Sequence, residues 1–149
     1  AVVYSSPLRR CVETANADGS DLVEDEALIE LDYGDFDLIS MGEIPAETMR
    51  EWRSNPDFAP PNGESLQQLA DRVGAFLDGL RSVAIERDVV VFSHVSPIKA
   101  SVAWALDVGI GISWRSHVAQ ASITRIGSGT AGPSLHHFND TTHLADLPD

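Results

Sequence analysis

Asp88–Ala105 reads DVVVFSHVSPIKASVAWA. Three valines and a phenylalanine between polar residues have the pattern of a short strand buried on both faces. Ser96 and Pro97 predict a helix cap and a first helical residue, so the stretch reads strand, tight turn, helix. His94 falls in the turn. In an open α/β sheet the carboxyl ends of the strands form the ligand crevice, and the N-terminus of the following helix favours anions there.

The opening residues Ala1–Ala15, AVVYSSPLRRCVETA, repeat this grammar. A β-branched run leads into serine and proline, and a helix comes next with Leu8, Cys11, Val12 and Ala15 on one face. Its first turn carries Arg9 and Arg10. If the two strands are parallel members of one sheet, a guanidinium and an imidazole meet at the same edge beside two helix N-termini. That is a phosphate site in outline.

Composition narrows the partner. A chain of 149 residues suits one domain, 1–149, with enough apolar content for a core. Nine arginines and one lysine, Lys99, leave a net charge of −13. A field of that sign disfavours nucleic acid and anionic membrane, so the expected ligand is a small-molecule phosphate ester held by local arginine. Cys11 stands alone, which forbids an internal disulfide and points to a cytoplasmic protein. No apolar run is long enough to span a bilayer, and no basic-then-apolar leader is present.

Between the two strand-turn-helix units, Asp21–Glu30 reads as a strand and Glu30–Asp37, ELDYGDFD, as an acidic loop. Such carboxylates are either solvated surface or include one general acid whose pKa is raised by neighbours such as Leu31 and Tyr33. Residues 40–61 form a polar, proline-punctuated excursion, a lid-like insertion with a helix from Pro45 to Ser54 that buries Met49 and Trp52. Ser65 and Gln68 predict a capping box. The helix it opens sets Leu66, Leu69, Val73, Phe76, Leu77 and Leu80 on one face. After Leu106 the glycines of DVGIGI end the helix, Ile112–Gln120 is a short helix or loop, and ASITRI and SLHHFND read as strands around a GSGTAGP turn. Residues 141–149 are expected to form a mobile tail. His136, His137 and His143 lack any metal-ligand spacing, so no metal and no cofactor is expected.

Taken together, SSPLRRCVETA, ELDYGDFD, PNGES and VVVFSHVSPIK resemble four consecutive motifs of the histidine phosphatase superfamily, in order and across nearly the whole chain. The resemblance implies the phosphoglycerate-mutase-like fold: α/β, three-layer α/β/α, with a mostly parallel sheet. The SHVSPIK version is similar to small acid phosphatases and alpha-ribazole-phosphatase-like members more than to the mutases, which have S-H-G there. On this resemblance Arg10 clamps the phosphoryl group, and His94 bonds a nonbridging oxygen. The backbone N–H of Val95 adds a donor, and Glu30 protonates the leaving alcohol, with Asp32 its nearest rival. Asp37-Leu38 stands where many members have Glu-Gly, and Val95 where many have Gly, which implies a narrower or differently polar entrance.

The family's nucleophile is the histidine of an R-H-G motif on a strand some fifty residues before S-S-P-L. None of the five histidines here is followed by glycine. That strand lies in mid-sheet between the one ending at His94 and the ASITRI strand, so the fold is expected to lack its first central strand. Ala1 accordingly reads as the start of an N-terminally incomplete domain. The parent is then a metal-independent phosphomonoesterase working through a phosphohistidine, and this chain alone is inactive or nearly so. The alternatives are a phosphoglycerate-mutase-type phosphotransferase and a non-catalytic phosphoester-binding module; a metal-dependent hydrolase built on the late histidines ranks below both. Nothing in the motifs specifies an oligomeric state.

Overall fold

In the computed structural model, which describes residues 1–18 and 21–145, β1 (Val2–Ser5) is the middle of a three-stranded parallel sheet. β2 (Leu22–Glu24) lies on one side and β3 (Val89–Phe92) on the other. Val2 pairs with Val89 and Ser5 with Phe92, so both strands end at one level. The turns that leave β1 and β3 therefore meet at the same edge. The resulting α/β fold has the mostly parallel sheet expected from the apolar runs.

β2 is shorter than the expected strand. The Asp25 carboxylate accepts the Ala27 N–H at 2.8 Å and turns Glu26–Leu28 into a 3-10 turn. β4 (Ile123–Gly129) and β5 (Gly132–Asp140) form a separate antiparallel ribbon, irregular between Ile123 and Ile126. Among the described residues β3 is bonded to β1 alone, and Val90 and Val91 are 41% and 38% exposed. The run read as a strand buried on both faces is thus only partly covered, and its edge away from β1 is unpaired among the described residues, on the side where the R-H-G strand was expected to be lacking.

The helices are placed by local signals and by one long packing face. α1 spans Arg9–Ala15 and buries Cys11 and Ala15. α2 (Ala46–Ser54), within the 40–61 excursion, drives Trp52 into the core and leaves Met49 partly buried. α3 (Leu66–Glu86) opens on the predicted capping box, with the Ser65 hydroxyl accepting from Gln68 N and the Gln68 side chain accepting from Ser65 N. Its Leu66, Leu69 and Val73 are buried, and Phe76 meets Tyr4 of β1 edge-on at 5.4 Å. α4 (Val95–Leu106) adds Ala100 and Ala103 to the same core.

Both predicted helix starts shift by two residues, in opposite directions. α4 begins at Val95 with His94 at its cap position, so Ser96 and Pro97 sit inside the first turn, where a missing N–H costs nothing. α1 begins at Arg9 after Leu8, and neither cap residue makes a side-chain cap bond. α4 ends on Asp107 in the left-handed region (φ 52°), not on a glycine. Of the expected tail, Thr142–Leu144 forms a 3-10 turn, and residues 146–149 lie outside the described residues. Among the described residues no helix is long and apolar enough to cross a membrane.

Candidate active site

The register of β1 against β3 brings Arg10 to His94. The guanidinium donates from Nε at 3.2 Å and from Nη2 at 2.9 Å to the imidazole Nδ1. Arginine has only donors, so Nδ1 carries the lone pair and the ring proton sits on Nε2. Nε2 then donates to the Ser6 hydroxyl at 2.8 Å, and that hydroxyl also accepts the Leu8 N–H at 3.3 Å. Ser6, which the sequence assigns to a helix cap, is diverted to the histidine. The Cys11 sulfur lies 3.5 Å from Nε2 and donates to the Ser93 carbonyl.

Burial, with Arg10 next and Arg72 a smaller contributor, pushes the His94 pKa below its ordinary 6.5 against the opposing pull of Glu30. Folded His94 therefore holds its proton less firmly than unfolded His94. The stability it contributes is complete above the ordinary value and is lost as pH falls through the lower folded value. Urea titrations at pH values falling from about 7 through and below the ordinary histidine value are expected to show this loss, and His94→Gln is expected to remove its share of the slope.

Glu30 occupies the N-terminus of α4. One carboxylate oxygen accepts the N–H of Ser96 at 3.1 Å and of its own neighbour Leu31 at 2.8 Å, and the other lies 3.4 Å from Ser96 N. This explains the uncapped serine: Glu30 satisfies the free first-turn donor from another segment. Val95, 42% exposed, is the first residue of α4, so its N–H also lacks an intrahelical partner. Asp32 is used differently. Its side chain accepts the Gly34 N–H at 2.8 Å and closes a local turn.

Gly34 is required in that turn. Its φ is +51°, and an added Cβ would collide with the backbone of Pro61 and Gly63. Next to it, burial raises the Tyr33 phenol above its ordinary 10.0, with a Ser96 side-chain hydrogen bond the largest opposing influence. Tyr33 also lines a pocket of about 220 Å³ with Phe36, Leu38, Met41 and Trp52. Leu38, at the Asp37-Leu38 departure from the family pattern, is fully exposed with φ 66° at its rim.

Arg10, His94, Glu30 and Val95 are thus brought to one place, and the late histidines are not. His136 bonds Ser134 on β5, and His143 sits in the terminal 3-10 turn. Among the described residues no group of three His, Cys, Asp or Glu side chains is arranged to hold a metal. Sequence reasoning missed the roles of Ser6 and Arg72. The only signal for Arg72 was its position one turn and a half into the helix that PNGES opens.

A family model described as histidine phosphatase superfamily (branch 1) matches residues 1–141. The chain belongs to this superfamily. It is 30% identical to a putative phosphoserine phosphatase of Hydrogenobacter thermophilus, over 98% of this chain and 75% of that protein. It is 35% identical to a bifunctional protein of Mycobacterium tuberculosis over 83% of this chain, and there it spans only 36% of the relative's length. Among solved structures, a mutant phosphoserine phosphatase of Entamoeba histolytica in complex with phosphoserine superposes with a TM-score of 0.85 at 24% identity, covering 97% of this chain and 76% of that one. A mycobacterial glucosyl-3-phosphoglycerate phosphatase with inorganic phosphate gives 0.78 at 26% identity, covering 93% and 76%. The histidine phosphatase assignment and the fold expected from the motifs are both borne out.

Proposed function

We propose that this chain supplies the phosphate clamp and the proton donor of a metal-independent histidine phosphatase that hydrolyses a small-molecule phosphate ester in the cytoplasm. The observation that carries the reading is the meeting of Arg10, His94 and Glu30 at the carboxyl ends of β1 and β3, on the N-terminus of α4. Arg10, His94 and the Val95 N–H face the equatorial oxygens of a bound phosphoryl group. They neutralise charge that a metal would otherwise carry.

The nucleophile is a histidine from a further strand seated on the open edge of β3, where Val90 and Val91 are exposed. Its imidazole attacks phosphorus, the ester P–O bond breaks, and Glu30 gives a proton to the departing alcohol oxygen. Water then attacks the phosphohistidine with its proton passing to Glu30, and inorganic phosphate leaves. We assign this part to Glu30 rather than Asp32 because the Glu30 carboxylate stands at the α4 N-terminus next to His94, whereas the Asp32 side chain closes the Gly34 turn. The likeness to a named phosphoserine phosphatase over 98% of the chain favours hydrolysis over mutase-type transfer, though mutases also occur among the relatives.

The test is phosphate release from an aryl phosphate by this chain and by the protein produced from its natural start codon. Turnover is expected in the second alone. Equal turnover by both overturns the account of the nucleophile. Binding of phosphate esters by both without turnover establishes a binding module instead.

A further inference from the structure

We propose that Arg72 and Glu64 are positioning residues for Glu30, fixing the carboxylate at the α4 N-terminus through the backbone of the loop that carries it. The inference rests on the reading of Glu30 as the proton donor. Glu30 lies in a segment of irregular backbone after the 3-10 turn at Glu26–Leu28, so no element of regular structure holds it. Arg72, on α3, supplies the missing support. Its Nη1 donates to the Ala27 carbonyl at 2.7 Å, and its Nη2 lies 3.4 Å from the carbonyl of Glu30 itself. The same guanidinium is held by both Glu64 oxygens, Nε at 2.7 Å and Nη2 at 2.8 Å, with the two side chains 24% and 18% exposed.

One planar fork therefore ties α3, the PNGES loop and the acid loop together. Two further bonds bracket it. Ser93 Oγ donates to the Leu28 carbonyl at 2.7 Å, and Glu64 N donates to the Asp32 carbonyl at 2.8 Å. A lysine cannot replace this arrangement, because a tetrahedral ammonium cannot meet a carboxylate bidentately and reach two carbonyls at once. The ion pair alone has little bearing on stability. Pairs of this kind are often replaced by apolar side chains of similar volume without loss. Position is another matter, since displacement of a catalytic group by about 1 Å costs on the order of 10²-fold.

The Ser96 amide reports the position of Glu30 directly, because it donates to that carboxylate. In NMR titrations of the protein its proton shift is expected to track the ionisation of Glu30. In Arg72→Lys and in the double variant Arg72→Met/Glu64→Met, the shift change is expected to fall by about half or more, while the double variant keeps its urea midpoint. In the protein produced from its natural start codon, the same variants are expected to lose about tenfold more kcat with an alkyl phosphate than with a nitrophenyl phosphate, because only the alkyl leaving group needs the proton. An unchanged Ser96 titration in both variants overturns the proposal. So does an equal loss of kcat on the two esters accompanied by a lowered urea midpoint. Glu30→Gln separates the underlying reading: if it leaves the alkyl-to-aryl ratio unchanged, Glu30 is not the proton donor, whatever the Ser96 amide does.

Discussion

Arg10→Ala and His94→Ala are each expected to lower kcat/KM for a phosphate monoester by about 10²- to 10³-fold, measured in the protein produced from its natural start codon. On the proposed function, each substitution removes a donor to the same phosphoryl oxygens. Arg10 holds its charge in both ground and transition states, so its loss should raise KM as well as lower kcat. On the proposed reading His94 redirects its Nε2–H from Ser6 to the charge that builds during transfer, so its loss should fall on kcat. The two side chains bond one another directly, at 2.9 Å. Their effects should therefore be less than multiplicative, with the double variant only modestly worse than either single one. Arg10→Lys keeps the charge and discards the two-pronged geometry, and should recover only part of the loss. A change of less than about threefold at both positions would remove the phosphate clamp from this edge of the sheet.

The parts of this arrangement that the sequence disclosed are those that depend on near neighbours. The Ser65 and Gln68 capping box is a three-residue relation, and it formed as read. Both strand-turn-helix units could be seen from apolar runs and prolines, and so their shared edge could be inferred. The hidden parts are bonds between distant segments. Ser6 and His94 are 88 residues apart, Glu30 and Ser96 66, Arg72 and the Ala27 carbonyl 45. A serine before a proline reads as a cap because that is its commonest local use. Here a remote carboxylate satisfies the donors near Ser96, and a remote imidazole claims Ser6. The exposure of Val90 and Val91 could not be read from the apolar run itself; its signal was the absent R-H-G motif, whose strand is the neighbour expected on that side of β3. The acid loop remained ambiguous. Which carboxylate closes a turn and which caps a helix is decided by α4, more than sixty residues away.

Trp52→Ala is expected to destabilise the fold by about 3–5 kcal/mol, near the upper end for a core truncation. Trp52 is 1% exposed, more enclosed than any other aromatic side chain among the described residues. Its ring meets Tyr33 edge-on at 6.1 Å and Trp114 at 5.4 Å, and packs tilted against Phe36 at 5.7 Å and Phe58 at 6.1 Å. Those partners come from the acid loop, the return of the excursion and the segment after α4, so one side chain joins four parts of the chain. A domain of ordinary stability has only about 5–15 kcal/mol to lose, so this change alone removes a large share of it. The indole N–H is buried without a hydrogen-bond partner. Trp52→Phe should therefore cost much less than the alanine change, because it removes an unsatisfied donor worth about 1–3 kcal/mol along with part of the ring. Urea unfolding of the three proteins at one pH measures both differences. A cost below about 1 kcal/mol for Trp52→Ala would mean that residues 40–61 part from the core as a lid at little expense. A cost in the expected range makes α2 a fixed wall of the site, holding Tyr33 against Ser96 and the acid loop in place beneath it.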